Sequence, residues 1–315
     1  MIIKNPLVSI CIPLYNAAEF VSETLSNLLC QSYQNIEIII VNDHSTDNSV
    51  EIIDIFNDDR IRIYTNPEKG GNAARNYAFL QSKGELIKFM DADDFCSEKL
   101  IEKQVEKYLK EGSVDTLIFS PVKKYYSNGR IEEMPRTIDR DYTPGIELVL
   151  NMWRGSGFNC PHCYLMSRSL VEKTGPWDNT ILRNQDGYYF ARVASFADLS
   201  LNVDDEYALW RQTFKGVSSN KSKDAILSHF KTLIFISEIL LSYKNDEDTV
   251  QICGQKIGLF IFTHYVYIKD DLKLLQPLRN QYGFKIIYPY RKKFKILKLF
   301  FGETKALEII SKSYQ

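Results

Sequence analysis

A chain of 315 residues can bury a sizeable core and suits one large domain or two modest ones. Its 39 Lys and Arg against 40 Asp and Glu give a net charge of −1, which argues against a general nucleic-acid binder. The charge is unevenly spread. Residues 221–315 hold 16 Lys and Arg against 9 Asp and Glu, a balance of +7, so residues 1–220 carry −8 and the two parts should meet different partners.

The cysteines at 11, 30, 96, 160, 163 and 253 do not form a short secreted framework, so a reducing compartment is expected. Cys160-Pro161-His162-Cys163 is a lone C-x-x-C, and a zinc site would need further ligands. The N-terminus does not read as a signal peptide, because its apolar stretch is short and broken by Pro6. No run is expected to reach the roughly 18 apolar residues of a spanning helix. The nearest, 257–268, contains Thr263 and His264.

In chain order, residues 7–14 form an apolar strand ending at Tyr15-Asn16, and 18–31 repeat apolar positions at helical spacing. IEIIIV (36–41) is a buried strand, and Asp47 then caps a helix to about 56. A short strand at 61–65 leads through Gly70-Gly71 into a helix at 72–82, a strand at 86–90 and a charged amphipathic helix at 97–111. This alternation implies a mostly parallel sheet covered on both faces. Beyond it, 115–126 read as one strand, 130–145 as irregular chain, 146–153 as a helix, 163–174 as strand then helix, and 180–198 as a helix led by Asp186. From about 223 the pattern is helical, at 223–243, 247–268 and 269–281.

LIKFMDADDF (86–95) carries the most chemistry. An apolar run buried on both faces ends in Asp91, Asp93 and Asp94, and open α/β sheets bind ligands at the carboxyl ends of their strands. A D-x-D there offers two hard oxygen ligands through which Mg²⁺ or Mn²⁺ could bridge to a diphosphate. The plainer reading is an acidic turn in which Asp94 caps the next helix.

Two more strand ends and one helix start point the same way. Pro13, Tyr15 and Asn16 close the first strand, where a ring can stack on a planar base or merely pack in its loop. Asp43 closes the second, where a carboxylate can accept from a nucleobase N–H or a ribose hydroxyl. GGNAARN (70–76) turns into a helix with Arg75 in its first turn, a place that favours anions and adds a fork for phosphate. Neither a G-x-G-x-x-G after the first strand nor a G-x-x-x-x-G-K-[ST] is present, so dinucleotide oxidoreductases and P-loop enzymes are not expected.

IPLYN, VNDHSTD, GGNAARN and FMDADD, in this order and at these intervals, resemble the GT-A glycosyltransferases of family 2. The resemblance is strong over 7–95 and looser to about 220. It implies a GT-A fold, an α/β Rossmann-like domain whose mostly parallel central sheet is flanked by helices, here with a C-terminal helical extension. The domains would be 1–220, with a nucleotide-sugar half (1–95) and an acceptor half (96–220), and a helical region at 221–315.

The resemblance further implies a nucleotide-diphosphate sugar donor, usually a UDP-sugar, and Mn²⁺ or Mg²⁺. Pro13, Tyr15 and Asp43 would then flank the base, Arg75 would contact base or phosphates, and Asp91 would bind the ribose and assist the metal held by Asp93. The family's catalytic base stands in an E-D motif at a helix start after a G-x-[FW] turn. Gly175-Pro176-Trp177-Asp178 supplies the turn and Asn184-Gln185-Asp186 the motif, so Asp186 would be the base. Gln185 replaces the commoner Glu. Tyr207–Arg211 followed by Ser218-Ser219 resembles the segment that covers the diphosphate, with Arg211 and Lys215 as its cations and the usual His missing.

These readings predict an inverting hexosyl- or N-acetylhexosaminyl-transferase acting on a saccharide hydroxyl in surface polysaccharide synthesis. The alternatives are a non-catalytic saccharide- or partner-binding protein on the same scaffold and a sugar-nucleotide nucleotidyltransferase. His162 and Trp153 are candidates for sugar contact. The basic, aromatic stretch 284–301 reads either as a membrane-surface segment or as a solvated helix docked on its domain. With membrane contact, a lipid-linked acceptor follows, and with it a cytoplasmic enzyme at the inner face of the membrane.

Overall fold

The structure is a computed structural model and describes residues 5–155, 157, 160–213, 220–289 and 291–314. It divides into two compact units, Met1–Asn179 with Val193–Phe214, and Thr180–Arg192 with Lys215–Gln315. The second unit therefore takes in a segment around 180–192 that lies on the other side of the expected boundary at 220.

In the first unit, β1 (Val8–Leu14), α1 (Val21–Leu29), β2 (Ile36–Asn42), α2 (Ser49–Asp54), β3 (Ile61–Thr65), α3 (Gly71–Gln81) and β4 (Leu86–Phe89) follow the expected alternation. They continue through β5 (Phe95–Cys96), α4 (Leu100–Glu111), β6 (Thr116–Phe119), β7 (Val122–Tyr125), β8 (Ile131–Glu133), α5 (Glu147–Arg154), β9 (Tyr164–Ser167) and α6 (Arg168–Thr174). α7 (Gln185–Phe196) crosses between the units, and β10 (Leu199–Asn202) and β11 (Ala208–Arg211) close the first.

Among the described residues the main sheet runs β10-β6-β9-β4-β1-β2-β3. β9 is antiparallel to both neighbours, while the other pairs are parallel, so six strands point one way. β1 lies between β2 and β4. The chain winds outward from β1 to β3 and returns to β4 on the other side, which makes the carboxyl ends of β1 and β4 a topological switch point, the place where open α/β sheets bind ligands. β1, β2 and β4 are almost wholly buried and built from Ile, Val, Leu and Phe, as strands covered on both faces must be. The core gathers Ile10, Ile12, Leu25, Ile38, Ile40 and Ile118. Each such side chain contributes about 1.5–3 kcal/mol by leaving water.

The stretch 115–126 is two strands, not one. Pro121 lacks an N–H and breaks the ladder, so β6 joins the main sheet and β7 a second sheet ordered β5-β11-β7-β8. That small sheet follows closely on β4 in the chain, because β5 begins six residues after Phe89 and pairs with β11 through Phe95↔Leu209.

In the second unit, α8 (Lys223–Tyr243) and α9 (Glu247–Ile268) pack together and are capped by Ser222 and Asp246, each accepting a backbone N–H three residues on. A 3₁₀ stretch (Lys269–Leu275), α10 (Gln276–Tyr282) and α11 (Lys292–Lys312) follow, so the expected helix at 269–281 is two pieces. α8 is long and apolar enough to cross a membrane, with mean hydropathy 1.5, which the sequence reading did not anticipate; 56 % of that window is buried inside the unit, as in a core helix. Gly254 and Gly258, one turn apart on α9, let the chain at 285–287 lie directly on the helix, and Ile287 N–H donates to Gly254 O at 3.0 Å.

Candidate active site

The first unit collects its polar side chains at the ends of β1, β2 and β4. Tyr15 follows β1 and is 56 % exposed; Pro13 is half-buried inside the strand. Asn16 sits at φ 47°, a left-handed position that Asn tolerates. Its Oδ1 accepts Thr46 N–H at 2.8 Å and its own N–H donates to Ser45 Oγ at 3.1 Å, tying the loops after β1 and β2 together. Asp47 is not the N-cap of α2, which is Asn48; it lies one residue earlier, where Oδ1 accepts Ser49 N–H at 3.1 Å across a tight turn and Oδ2 accepts Ala18 N–H at 3.0 Å.

Asp43 ends β2 and is buried. Its Oδ1 accepts from Asn66 Nδ2 at 2.7 Å and from Gly70 N–H at 2.8 Å. Gly70 has φ 127°, which L side chains rarely adopt, so Asp43 holds the turn that only glycine makes easily. One oxygen of Asp43 thus shapes the entrance to α3.

Arg75 on α3 is not a surface residue. It is 4 % exposed, lies over the Trp177 ring at 4.9 Å, and donates from Nη2 to Asp91 Oδ1 at 2.6 Å. The Gly175–Asp178 turn is gripped by the same helix. Asn76 exchanges hydrogen bonds with the Trp177 main chain at 2.8 and 2.9 Å, and Asn72 Nδ2 donates to Asp178 O at 2.8 Å. Two asparagines four apart on one helix face are the signal that could have linked these two motifs from sequence.

After β4, Asp91 is partly exposed and pinned by Arg75. Burial, and then the charge of Asp91, push the Asp93 carboxyl up to about 6. Asp94 is not a helix cap, because α4 begins at Leu100 after Lys99. It is 3 % exposed, its Oδ1 accepts Arg211 N–H at 2.8 Å, and burial raises its carboxyl well above the ordinary carboxylate range. α1 holds this loop from the other side: Thr24 Oγ1 donates to Ala92 O at 2.9 Å, and Asn27 bonds both polar groups of the Cys96 main chain.

Arg211 ends β11 and is also buried. Its Nε donates to Asp93 O at 2.7 Å and Nη2 to Glu23 at 2.8 Å, with the faces of Phe20, Phe95 and Tyr125 at 5.2, 4.8 and 5.3 Å. Lys215 lies outside the described residues. His162 has no exposure and therefore cannot contact a sugar. Its Nε2–H donates to Leu209 O at 3.2 Å, its Nδ1 lies 3.3 Å from Asp94, and burial lowers its pKa to about 3. Cys160 and Cys163 are buried free thiols, so the C-x-x-C belongs to this packed interior.

Asp186 belongs to the second unit, in the first turn of α7 and half-buried. Asn184, at φ 61°, precedes the helix and donates to Thr232 Oγ1 on α8 at 2.8 Å, which fixes where α7 starts. Near the D-x-D loop the structure assembles Tyr15, Asp43, Arg75, Asp91, Asp93 and Arg211 within one unit.

The donor set fits a divalent cation of the Mg²⁺ or Mn²⁺ kind. Asp93 would offer a hard oxygen donor, and its charge is disfavoured by burial and by Asp91, a condition that a cation would relieve. Among the described residues no three His, Cys, Asp or Glu side chains enclose a metal. The protein would thus supply one or two oxygens and a ligand or water the rest, the usual pattern for Mg²⁺ at phosphates.

Known proteins are similar to this chain in sequence and in fold. The model of the glycosyl transferase family 2 matches residues 9–175. EpsJ of Bacillus subtilis, an uncharacterized glycosyltransferase, is 38 % identical over 274 residues, which span 82 % of this chain and 76 % of EpsJ. WfgD of Escherichia coli, a UDP-Glc:alpha-D-GlcNAc-diphosphoundecaprenol beta-1,3-glucosyltransferase, is 27 % identical over 220 residues, 69 % of this chain and 82 % of WfgD. Other matches are more local: GlyG of Streptococcus pneumoniae is 42 % identical over 117 residues, which span only 38 % of its length. The fold matches TarS 1–349 of S. aureus, solved with UDP-GlcNAc, at a TM-score of 0.66 and 17 % identity, covering 98 % of this chain and 91 % of that one. The matched strand-end motifs, the switch-point site that they build and the extent of these similarities agree, and the chain belongs to glycosyltransferase family 2.

Proposed function

We propose that the protein is an inverting, metal-dependent glycosyltransferase that moves a hexosyl or N-acetylhexosaminyl group from a UDP-sugar to a saccharide hydroxyl in surface polysaccharide synthesis. The observation that carries the reading is the pair Asp91 and Asp93 at the end of β4: one carboxylate is pinned by Arg75, the other lifted to about 6. The UDP complexes of TarS and the UDP-Glc in the name of WfgD support the donor. The diphosphoundecaprenol in that name supports a lipid-linked acceptor and action at the cytoplasmic face of a membrane.

In this reading Tyr15 stacks on the base, beside Pro13, and Asp43 meets it through the oxygen not taken by Asn66 and Gly70. Asp91, oriented by Arg75, takes the ribose. A cation held by Asp93, with Asp91 in support, would supply positive charge to the departing diphosphate. Arg211 adds a fixed charge behind the same loop, with Lys215 as a second cation. Asp186 accepts the proton of the attacking hydroxyl. The new bond to the anomeric carbon forms as the bond to UDP breaks; a single displacement with one base inverts that carbon and needs no carboxylate nucleophile.

The test is incubation with a panel of UDP-sugars and Mn²⁺, followed as UDP release with and without saccharide acceptors. The reading requires one donor to be turned over, and Asp93→Asn to lose both turnover and Mn²⁺-dependent UDP binding. Tight binding of a sugar nucleotide without any turnover would instead support a non-catalytic binding protein.

A further inference from the structure

We propose that the first half of α11, Lys292–Phe301, is an interfacial helix that docks the second unit on an anionic lipid surface through Ile296, Leu299 and Phe300. The inference does not depend on which sugar the protein transfers.

The helix has two apolar faces. At 100° per residue, Phe294, Leu297 and Phe301 fall on one arc and Ile296, Leu299 and Phe300 on the opposite arc. On the first arc Phe294 is buried, edge-on to Phe262 at 5.2 Å and to Tyr288 at 5.6 Å, and Leu297 is half-buried, while Phe301 at the end of this half is 59 % exposed. The second arc faces out, with Ile296 48 %, Leu299 82 % and Phe300 73 % exposed. Three large apolar side chains adjoining on one exposed face form a patch that water disfavours.

The charges identify the occupant. Lys293 borders the outer arc on one side and Lys295 on the other, with Lys292 at its N-terminal end, and Lys292–Phe301 contains no acidic residue. An apolar stripe with Lys293 on one side and Lys295 on the other fits a helix lying in the plane of a membrane, with the stripe among acyl chains and the ammonium groups at anionic headgroups. A second copy of the chain fits poorly, since stripe-to-stripe packing would bring lysine against lysine. At Gly302 (φ 79°, ψ 168°) the helix turns, and from there Ala306, Leu307 and Ile310 pack back into the unit. The segment that docks is therefore short and bounded. The preceding chain at 284–289 lies on α9, with Phe284 buried and Ile287 over Gly254 and Gly258, so the contact narrows from 284–301 to 292–301.

The experiment is co-sedimentation of the full chain with vesicles, comparing phosphatidylcholine alone with vesicles in which about a third of the lipid is phosphatidylglycerol. The anionic vesicles should bind the protein at least about tenfold more tightly, and high salt should weaken that binding. Leu299→Ser/Phe300→Ser and Lys293→Glu/Lys295→Glu should each weaken it by about tenfold or more, with far-UV circular dichroism unchanged. UDP release from a sugar nucleotide, measured without vesicles, should not change in the serine variant, which separates this surface from the chemistry. Absence of binding to anionic vesicles, wild-type binding by the serine variant, or a solution dimer that the serine variant dissociates would each overturn the proposal.

Discussion

Asp94 and Arg211 hold each other in place: Asp94 Oδ1 accepts the Arg211 N–H at 2.8 Å, and Arg211 Nε reaches back to the carbonyl of Asp93 at 2.7 Å. A buried carboxylate thus fixes the strand that carries the arginine, and the arginine fixes the loop that carries the acidic pair. His162 supports the clamp by bonding Leu209 O on the same strand. The third aspartate of the motif acts on protein, while the first two are the ones proposed to meet the donor and its cation.

This clamp predicts a split between two substitutions. Asp94→Asn keeps an oxygen for the Arg211 N–H and should retain most of the UDP-sugar turnover. Asp94→Leu leaves that buried N–H without a partner and should lower stability by about 1–3 kcal/mol. It should also weaken Mn²⁺-dependent UDP binding, because the Asp93 main chain loses its brace. Urea unfolding and titration calorimetry with UDP and Mn²⁺ measure the two effects. Equal losses in the Asn and Leu variants would show that charge, not the hydrogen bond, is what Asp94 supplies.

Asp93 predicts a pH dependence of opposite sign to the usual carboxylate. Its folded pKa of about 6 stands above its ordinary 3.8, so between these values the folded protein holds more protons than the unfolded chain. Stability of the metal-free protein should fall as pH rises through that window, and the cost should persist above 6. After solvent screening, about 1–2 kcal/mol is expected. Asp93→Asn should therefore be more stable than wild type at pH 7.5 in a chelator, with the gap shrinking toward pH 4, while transfer should be lost. Urea unfolding across that range would expose the error if the two proteins kept a constant gap.

For Asp186 the expectation is kinetic. Asp186→Asn removes the proposed base and leaves the residues around the D-x-D loop intact. Its kcat for transfer should drop by about 10²–10⁴, with the donor Kd nearly unchanged. Asp93→Asn should move both quantities. Rapid-quench kinetics with equilibrium UDP-sugar binding separates them, and a variant with wild-type kcat would remove Asp186 from the mechanism.

The strand ends were legible because each motif follows a buried apolar run, and the run tells where a strand stops. Tyr15, Asp43 and Asp91 stand at the ends of β1, β2 and β4 for that reason. The helices 223–243 and 247–268 were equally legible from apolar spacing and from polar residues before their starts. Strand direction was not: YLMS reads the same in β9 whether its neighbours run with it or against it. The second sheet was missed because β5, β11 and β8 have two to four residues each, too few to show a period. Lys88 hid in an apolar strand; it is wholly buried, and its ammonium donates to Gln104 Oε1 at 2.9 Å and Tyr164 O at 3.2 Å, partners 16 and 76 residues away. Burial of Arg75 and Arg211 was illegible for the same cause, since what covers them is distant in the chain.

Glycine substitutions in the second unit distinguish a steric requirement from a conformational one. At Gly258 a Cβ would lie 2.0 Å from Ile287 O and 2.6 Å from Ile287 C, backbone atoms that cannot turn aside. Gly258→Ala must push the chain at 285–287 off α9, which breaks the Ile287 N–H bond to Gly254 and unpacks the run that leads into α11. At Gly302 nothing lies within 4 Å, and only the φ of 79° opposes a side chain. Gly258→Ala should cost about 3 kcal/mol, near the upper end for overpacking, and Gly302→Ala about 1 kcal/mol. Hydrogen exchange should show new opening at 285–287 in the first variant and only local change near 302 in the second. If Gly302→Ala were the more damaging, the bend in α11, and not the seat of the preceding chain on α9, would be what holds the C-terminal helix.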